Sequence, residues 1–139
     1  MKPSWEHFEH GADVGVRGLA AGKAGAFEQA ALALVALVSD PAAVRPLQAV
    51  PIVCDAPDDE LLLLDWLNAV VSEMAVRRML FAAFTVTLSD GRLEAVARGE
   101  PIDPARHEAG VEVKGATCTQ LRVAPTAGGG WLAQTVVDV

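Results

Sequence analysis

Leu63, Trp66, Leu67, Val70, Val71 and Met74 recur at helical spacing behind an acidic start, Pro57-Asp58-Asp59-Glu60. Carboxylates in a first turn suit the positive end of a helix dipole, and Arg77-Arg78 suits the other end. The spacing predicts the longest element of the chain, a helix running to about Met79. Its broad apolar stripe has to be covered by other elements, which rules out a helix standing alone. Phe27, Ala30, Ala31, Leu34, Val35 and Val38 repeat the same pattern and predict a second helix, ending near Ser39-Asp40-Pro41.

The remaining regular stretches alternate. Residues 6–9 and 13–19 read as short strands split by a turn at His10-Gly11-Ala12. Pro41 and Pro46 bracket a loop, and residues 48–55 alternate as a strand. Residues 84–88 and 92–97 flank Ser89-Asp90-Gly91, and Asp-Gly between alternating runs signals a hairpin. Residues 99–110 read as a loop carrying Glu100, Asp103, His107 and Glu108. Residues 111–123 alternate as one strand, with Gly115 as a bulge or a close approach. Gly128-Gly129-Gly130 turns the chain into a last strand at 131–138. The sum is about seven strands and two main helices, joined by hairpins instead of regular βαβ units. That pattern predicts an α+β fold: one compact domain over residues 1–139 with a mixed or mostly antiparallel sheet.

At 139 residues such a domain can bury a sizeable core. A formal net charge of −7 disfavours strong direct binding to nucleic acid, which normally shows as a basic patch. It suits a protein partner, and a basic one fits. The polar N-terminus, Met1-Lys2-Pro3-Ser4-Trp5-Glu6-His7, lacks the apolar core of a signal peptide, and the longest apolar run, residues 30–38, is too short to cross a membrane. Cys54 and Cys118 form no CxxC pair and read as free thiols, with Cys118 half-buried in the alternating strand. These features predict a cytoplasmic protein with no membrane partner.

Asp13 and Asp138 stand beside apolar residues near the two ends of the chain. A sheet could bring them together, and two such carboxylates repel unless a proton or cation lies between them. Val139 adds a carbonyl, or a terminal carboxylate if the chain ends there. Such hard oxygens suit Ca²⁺ or Mg²⁺. The other reading is two solvated strand-end acids.

Other chemistry has weaker support. His7, His10 and His107 show no HExxH spacing, and no serine lies in a G-x-S-x-G elbow. There is no Walker loop and no GxGxxG. Asp103 and His107 could join Asp13 and Asp138 in a metal-dependent hydrolytic site. Asp65 and Asn68, on one strip of the long helix, either fasten a nearby loop or form its polar edge. Lys114 either pairs with Glu100 or Glu112 or faces solvent.

Taken together, these pieces resemble the archease family. The likeness runs through His10-Gly11-Ala12-Asp13-Val14-Gly15, Phe27-Glu28-Gln29-Ala30-Ala31 and Asp65-Trp66-Leu67-Asn68. It continues through Leu80-Phe81, Phe84-Thr85-Val86, and Gly99-Glu100 with Asp103 and His107. Glu112-Val113-Lys114-Gly115-Ala116-Thr117 and Val136-Val137-Asp138-Val139 complete it.

The resemblance implies a non-catalytic accessory protein of the RtcB-type RNA ligase, which joins RNA ends in tRNA splicing and repair with manganese and GTP. Archeases promote guanylylation of the ligase histidine and support multiple turnover. The family's metal site, reported as calcium, maps to Asp13, Asp138 and Val139. His10, Asp65, Glu100, Asp103, His107 and Lys114 become candidates for supporting that site or meeting the partner. The alternatives are the small metal-dependent hydrolase or a chaperone-like protein-binding module. Two departures stand out. Gly11 replaces a threonine of the opening motif, and Cys118-Thr119 replace the family's Tyr-His.

Overall fold

The computed structural model describes residues 1–108 and 110–139. The elements are β1 (Ser4–His10), β2 (Asp13–Ala20), α1 (Lys23–Val38), β3 (Gln48–Asp55), α2 (Asp59–Arg77), β4 (Met79–Ser89), β5 (Arg92–Pro101), β6 (Gly115–Ala116), β7 (Arg122–Pro125) and β8 (Trp131–Asp138). A single 3₁₀ turn, Pro41–Ala43, follows α1.

Local chemistry explains the two tight hairpins. β1 and β2 meet at the His10–Asp13 pair, so Gly11 and Ala12 form a two-residue loop. Gly11 has φ +59, which a glycine adopts without the clash a threonine would meet. β4 and β5 close at Ser89–Arg92, with positive φ at both Asp90 and Gly91. That is the combination a two-residue hairpin of matching twist requires.

The strands form two antiparallel sheets. In one, β8 lies between β2 on one edge and the short β6 and β7 on the other, and β1 is outermost beyond β2. The second has β5 between β3 and β4. Both helices touch both sheets: α1 meets β1, β2 and β8 as well as β4, and α2 meets β3, β4 and β5 as well as β6 and β7. The core lies where these layers meet.

Small side chains let α1 lie close. Ala26, Ala30, Ala31 and Ala33 are fully buried beside Phe27, Leu34 and Val35. A Cβ at Gly18 on β2 would come within 2.2 Å of the Ala26 carbonyl oxygen and 2.3 Å of the Ala30 nitrogen. Only glycine permits that separation. α2 starts on a proper cap, the Asp58 carboxylate accepting from the Leu61 amide at 2.8 Å. Trp66 anchors it, donating from its indole nitrogen to the Phe27 carbonyl at 3.0 Å and packing edge-on against Phe84.

Several sequence-based boundaries shift. The α+β fold with two main helices and antiparallel pairing is as expected; among the described residues the strands number eight and divide into two sheets, with every ladder antiparallel. The expected strand at 111–123 divides into β6 and β7. Between them the chain leaves the ladder, with Gln120 at φ 57 and the Thr117 and Thr119 carbonyls accepting from the Thr135 hydroxyl. That excursion exposes Cys118 instead of half-burying it. α2 stops at Arg77, with Arg78 left-handed, and the apolar run from Met79 becomes the start of β4. Gly99-Glu100-Pro101 belong to β5, not to the loop that follows. Among the described residues, no helix is long and apolar enough to cross a membrane.

Candidate functional site

The sheet brings the two ends of the chain to one place. Val14 pairs with Val137, so Asp13 opens β2 one step beyond that pair, level with Asp138 at the close of β8. On its other side Asp138 pairs with Gly115, and its carbonyl accepts from the Lys114 amide at 2.8 Å. Asp13 and Val139 are half-buried, and Asp138 is exposed. His10 faces Asp13 across the last pair of the β1–β2 ladder and is exposed.

Two carboxylates at adjacent strand ends, with further main-chain oxygen nearby, form an all-oxygen donor set. That chemistry suits a hard divalent cation, with water or a partner completing the shell. Among the described residues, no group of three or more His, Cys, Asp or Glu side chains converges as a metal cluster.

Asp103 and His107 lie in a second cluster, built around Glu100. β5 delivers Glu100 to the interior, where it is 1% exposed. A buried carboxylate needs partners. Arg106 supplies two contacts, Nη2 to Oε1 at 2.5 Å and Nη1 to Oε2 at 3.0 Å. Arg45 donates its amide to Oε2 at 2.6 Å and its Nε to Oε1 at 3.1 Å. His107, buried as well, approaches Oε2 through Nε2 at 3.1 Å. Its Nδ1 accepts from the Asp103 amide at 2.9 Å, which assigns the proton to Nε2 and makes that nitrogen the donor to Glu100.

The Arg106 guanidinium holds the Glu100 carboxyl far below the usual carboxylate range. Burial works against it, and the Arg45 and His107 contacts add to the depression. The cluster ties the segment after β5 to the turn after α1, with Arg106 also reaching the Ala43 carbonyl at 3.3 Å. This is a fastening between two segments, with the carboxylate at its centre already engaged.

The other candidates separate. Asn68 accepts from the Ala116 amide at 2.9 Å and so pins β6, while its helix neighbour Asp65 is exposed. Gly115 is the expected close approach, since a Cβ there would sit 3.1 Å from Asn68 Oδ1. Lys114 is exposed and pairs with neither Glu100 nor Glu112 among the described residues. Arg45 and Arg106 were not singled out from the sequence. The available signal was a glutamate inside an alternating apolar strand, which demands a cation; nothing in the spacing says which one answers.

A model of the Archease protein family matches residues 5–139. The chain belongs to the archease family. The archease of Methanopyrus kandleri is 37% identical, with 97% of this chain and 99% of that protein aligned. The Pyrococcus abyssi archease is 32% identical over 97% of this chain and 98% of its own. A Methanobacterium thermoautotrophicum protein solved in solution superposes with a TM-score of 0.81 at 29% identity, covering 98% of this chain and 99% of that one. The crystal structure of a Thermotoga maritima archease, described as a possible chaperone, shares the fold at a TM-score of 0.65 and 15% identity, with 96% of each chain covered.

Proposed function

We propose that this archease is a non-catalytic accessory protein that activates an RtcB-type RNA ligase, promoting guanylylation of the ligase and its multiple turnover. The observation that carries this reading is the family match across residues 5–139. The acidic balance, −7 overall, supports docking on a protein over binding RNA directly.

Within the same reading, Asp13, Asp138 and an oxygen of Val139 hold a divalent cation, Ca²⁺ or Mg²⁺. Support comes from the sheet register that sets the two carboxylates side by side. A cation bound there supplies positive charge that orders the meeting ends of β2 and β8. The hydrolase alternative needs Asp13, Asp103, His107 and Asp138 to converge, and His107 is instead committed to Glu100 and the Asp103 amide.

The test follows covalent nucleotide transfer to the cognate ligase with GTP and Mn²⁺, with this protein at substoichiometric amounts. Strong acceleration is expected. No effect from a folded protein on an active ligase would sink the reading. A chaperone-like role is the second reading, drawn from the description of the Thermotoga protein. It predicts that unrelated clients are protected from aggregation as well as the ligase is.

A further inference from the structure

A cleft of about 660 Å³ opens between β1 and the turn that follows α1. Its lining includes Trp5, Ala36, Ser39, Asp40, Arg106 and Glu108. Three features give it a definite chemistry. Trp5 is 39% exposed on the outermost strand, and its ring packs on one side against His7, 5.2 Å between centroids. Asp40 and Glu108 are exposed carboxylates. Asp40 uses Oδ1 to accept from the Ala42 amide at 3.0 Å, and Oδ2 has no partner among the described residues. The Ser39 hydroxyl is buried, with the residue only 6% exposed, and it makes no hydrogen bond among the described residues.

A buried hydroxyl without a partner is costly, and Ser39 contributes one to the wall of this cleft. The exposed charges that the lining leaves unmatched are the two carboxylates, and beside them lies one aromatic face. Arg106, the single cation among them, has both terminal nitrogens on Glu100 and one also on the Ala43 carbonyl. An anion would therefore meet two exposed carboxylates and a guanidinium whose charge is already matched by Glu100. A hydrated metal ion would gain nothing from the indole. A guanidinium or ammonium on an apolar stem matches the exposed groups: its charge faces Asp40 and Glu108, and its face or stem lies on Trp5.

We propose that this cleft receives a basic side chain, arginine or lysine, from the surface of the archease's protein partner. The proposal rests on the accessory-protein reading for the identity of that partner, and it gives the acidic chain a specific point of engagement. Arg106 is a positioning residue in it, because its grip on Glu100 holds one wall of the cleft.

Two measurements decide it. The first titrates the protein with N-acetyl-arginine-N-methylamide and with its citrulline analogue, read by amide and indole NMR. Saturable shifts at the Trp5 indole N–H and the Ser39 amide are expected with arginine and not with citrulline. Trp5→Ala, at an exposed position, and Asp40→Asn, which keeps the cap on Ala42, should each weaken binding roughly tenfold, read at Ser39. Equal shifts with citrulline, or none with arginine, overturn the cleft. The second repeats the ligase guanylylation assay with the same variants. Their half-maximal concentration should rise roughly tenfold with the maximal rate intact; a half-point equal to wild type overturns the proposal. If wild type gives no acceleration at all, the accessory reading fails, and the arginine titration still decides the cleft.

Discussion

Arg106 grips Glu100 through two parallel contacts, Nη2 to Oε1 at 2.5 Å and Nη1 to Oε2 at 3.0 Å. Such a fork fixes orientation as well as charge, which a lysine could not do. With Arg45 and His107 on the remaining lone pairs, the carboxylate is fully used. Removing it would leave the part-buried Arg106 without its counter-charge and the buried His107 N–H without an acceptor.

The depressed Glu100 carboxyl gives a pH prediction. A group whose folded pKa lies below its unfolded value stabilises the fold above the unfolded value, about 4.3 for a glutamate. That contribution is lost as pH falls toward the folded value. Urea midpoints should show a large gap between wild type and Glu100→Gln from pH 7 to pH 5, narrowing steadily below about pH 4. A gap that stays constant down to pH 2.5 would contradict the charged state of Glu100.

Asn68 and Asp65 sit nearly one turn apart on the exposed strip of α2, but only Asn68 has a partner, the Ala116 amide at 2.9 Å. Asn68→Ala should cost about 1 kcal/mol and loosen β6 at the edge of β8. Asp65→Ala should stay within about 0.5 kcal/mol of wild type. Denaturant melts measure both, and hydrogen exchange at Ala116 reports the local loosening. Equal costs for the two would mean that the strip, and not the bond, matters.

The sequence made this distinction only halfway legible. Spacing placed both residues on one strip, and it located both helices, because apolar periodicity is a local signal. What it could not show was that β6 crosses that strip, since a two-residue strand has no periodicity to read. The same reason hid the break at 117–121: alternation continues through Cys118 and Thr119, and the departure is set by Thr135, sixteen or more residues away. The meeting of Asp13 with Asp138 was readable as a prospect from the strand-like termini, and the β2–β8 register gave it a position. The spacing around Glu100 reads as a loop, and its burial follows from the extension of β5 through Pro101.

The two thiols should separate cleanly. Burial, with the charges of Asp65 and Asp55, pushes the Cys54 thiol up to about 11, while Cys118 is exposed. At pH 8 Cys54 is then thiolate in roughly one molecule in a thousand. An aromatic disulfide reagent should label one thiol at once and the second only on unfolding, and Cys118→Ser should remove the fast phase. Two fast thiols in the native protein would contradict the packing around Cys54.

Asp13 and Asp138 offer a prediction whose sign depends on the cation. Without one, two adjacent carboxylates repel, so Asp138→Asn should be neutral or stabilising by about 0.5 kcal/mol or less. With Ca²⁺ at a hundredfold over its dissociation constant, wild type should gain about 2.7 kcal/mol, and Asp13→Asn and Asp138→Asn should gain little. Thermal unfolding in chelator, Ca²⁺ and Mg²⁺ measures all three proteins. A site at strand ends, open to water on the Asp138 side, tolerates irregular geometry and so should favour Ca²⁺ over the smaller ion that demands an octahedron. The idea fails if Ca²⁺ raises the melting temperature of both variants as much as that of wild type, because the stabilisation would then lie elsewhere on an acidic surface.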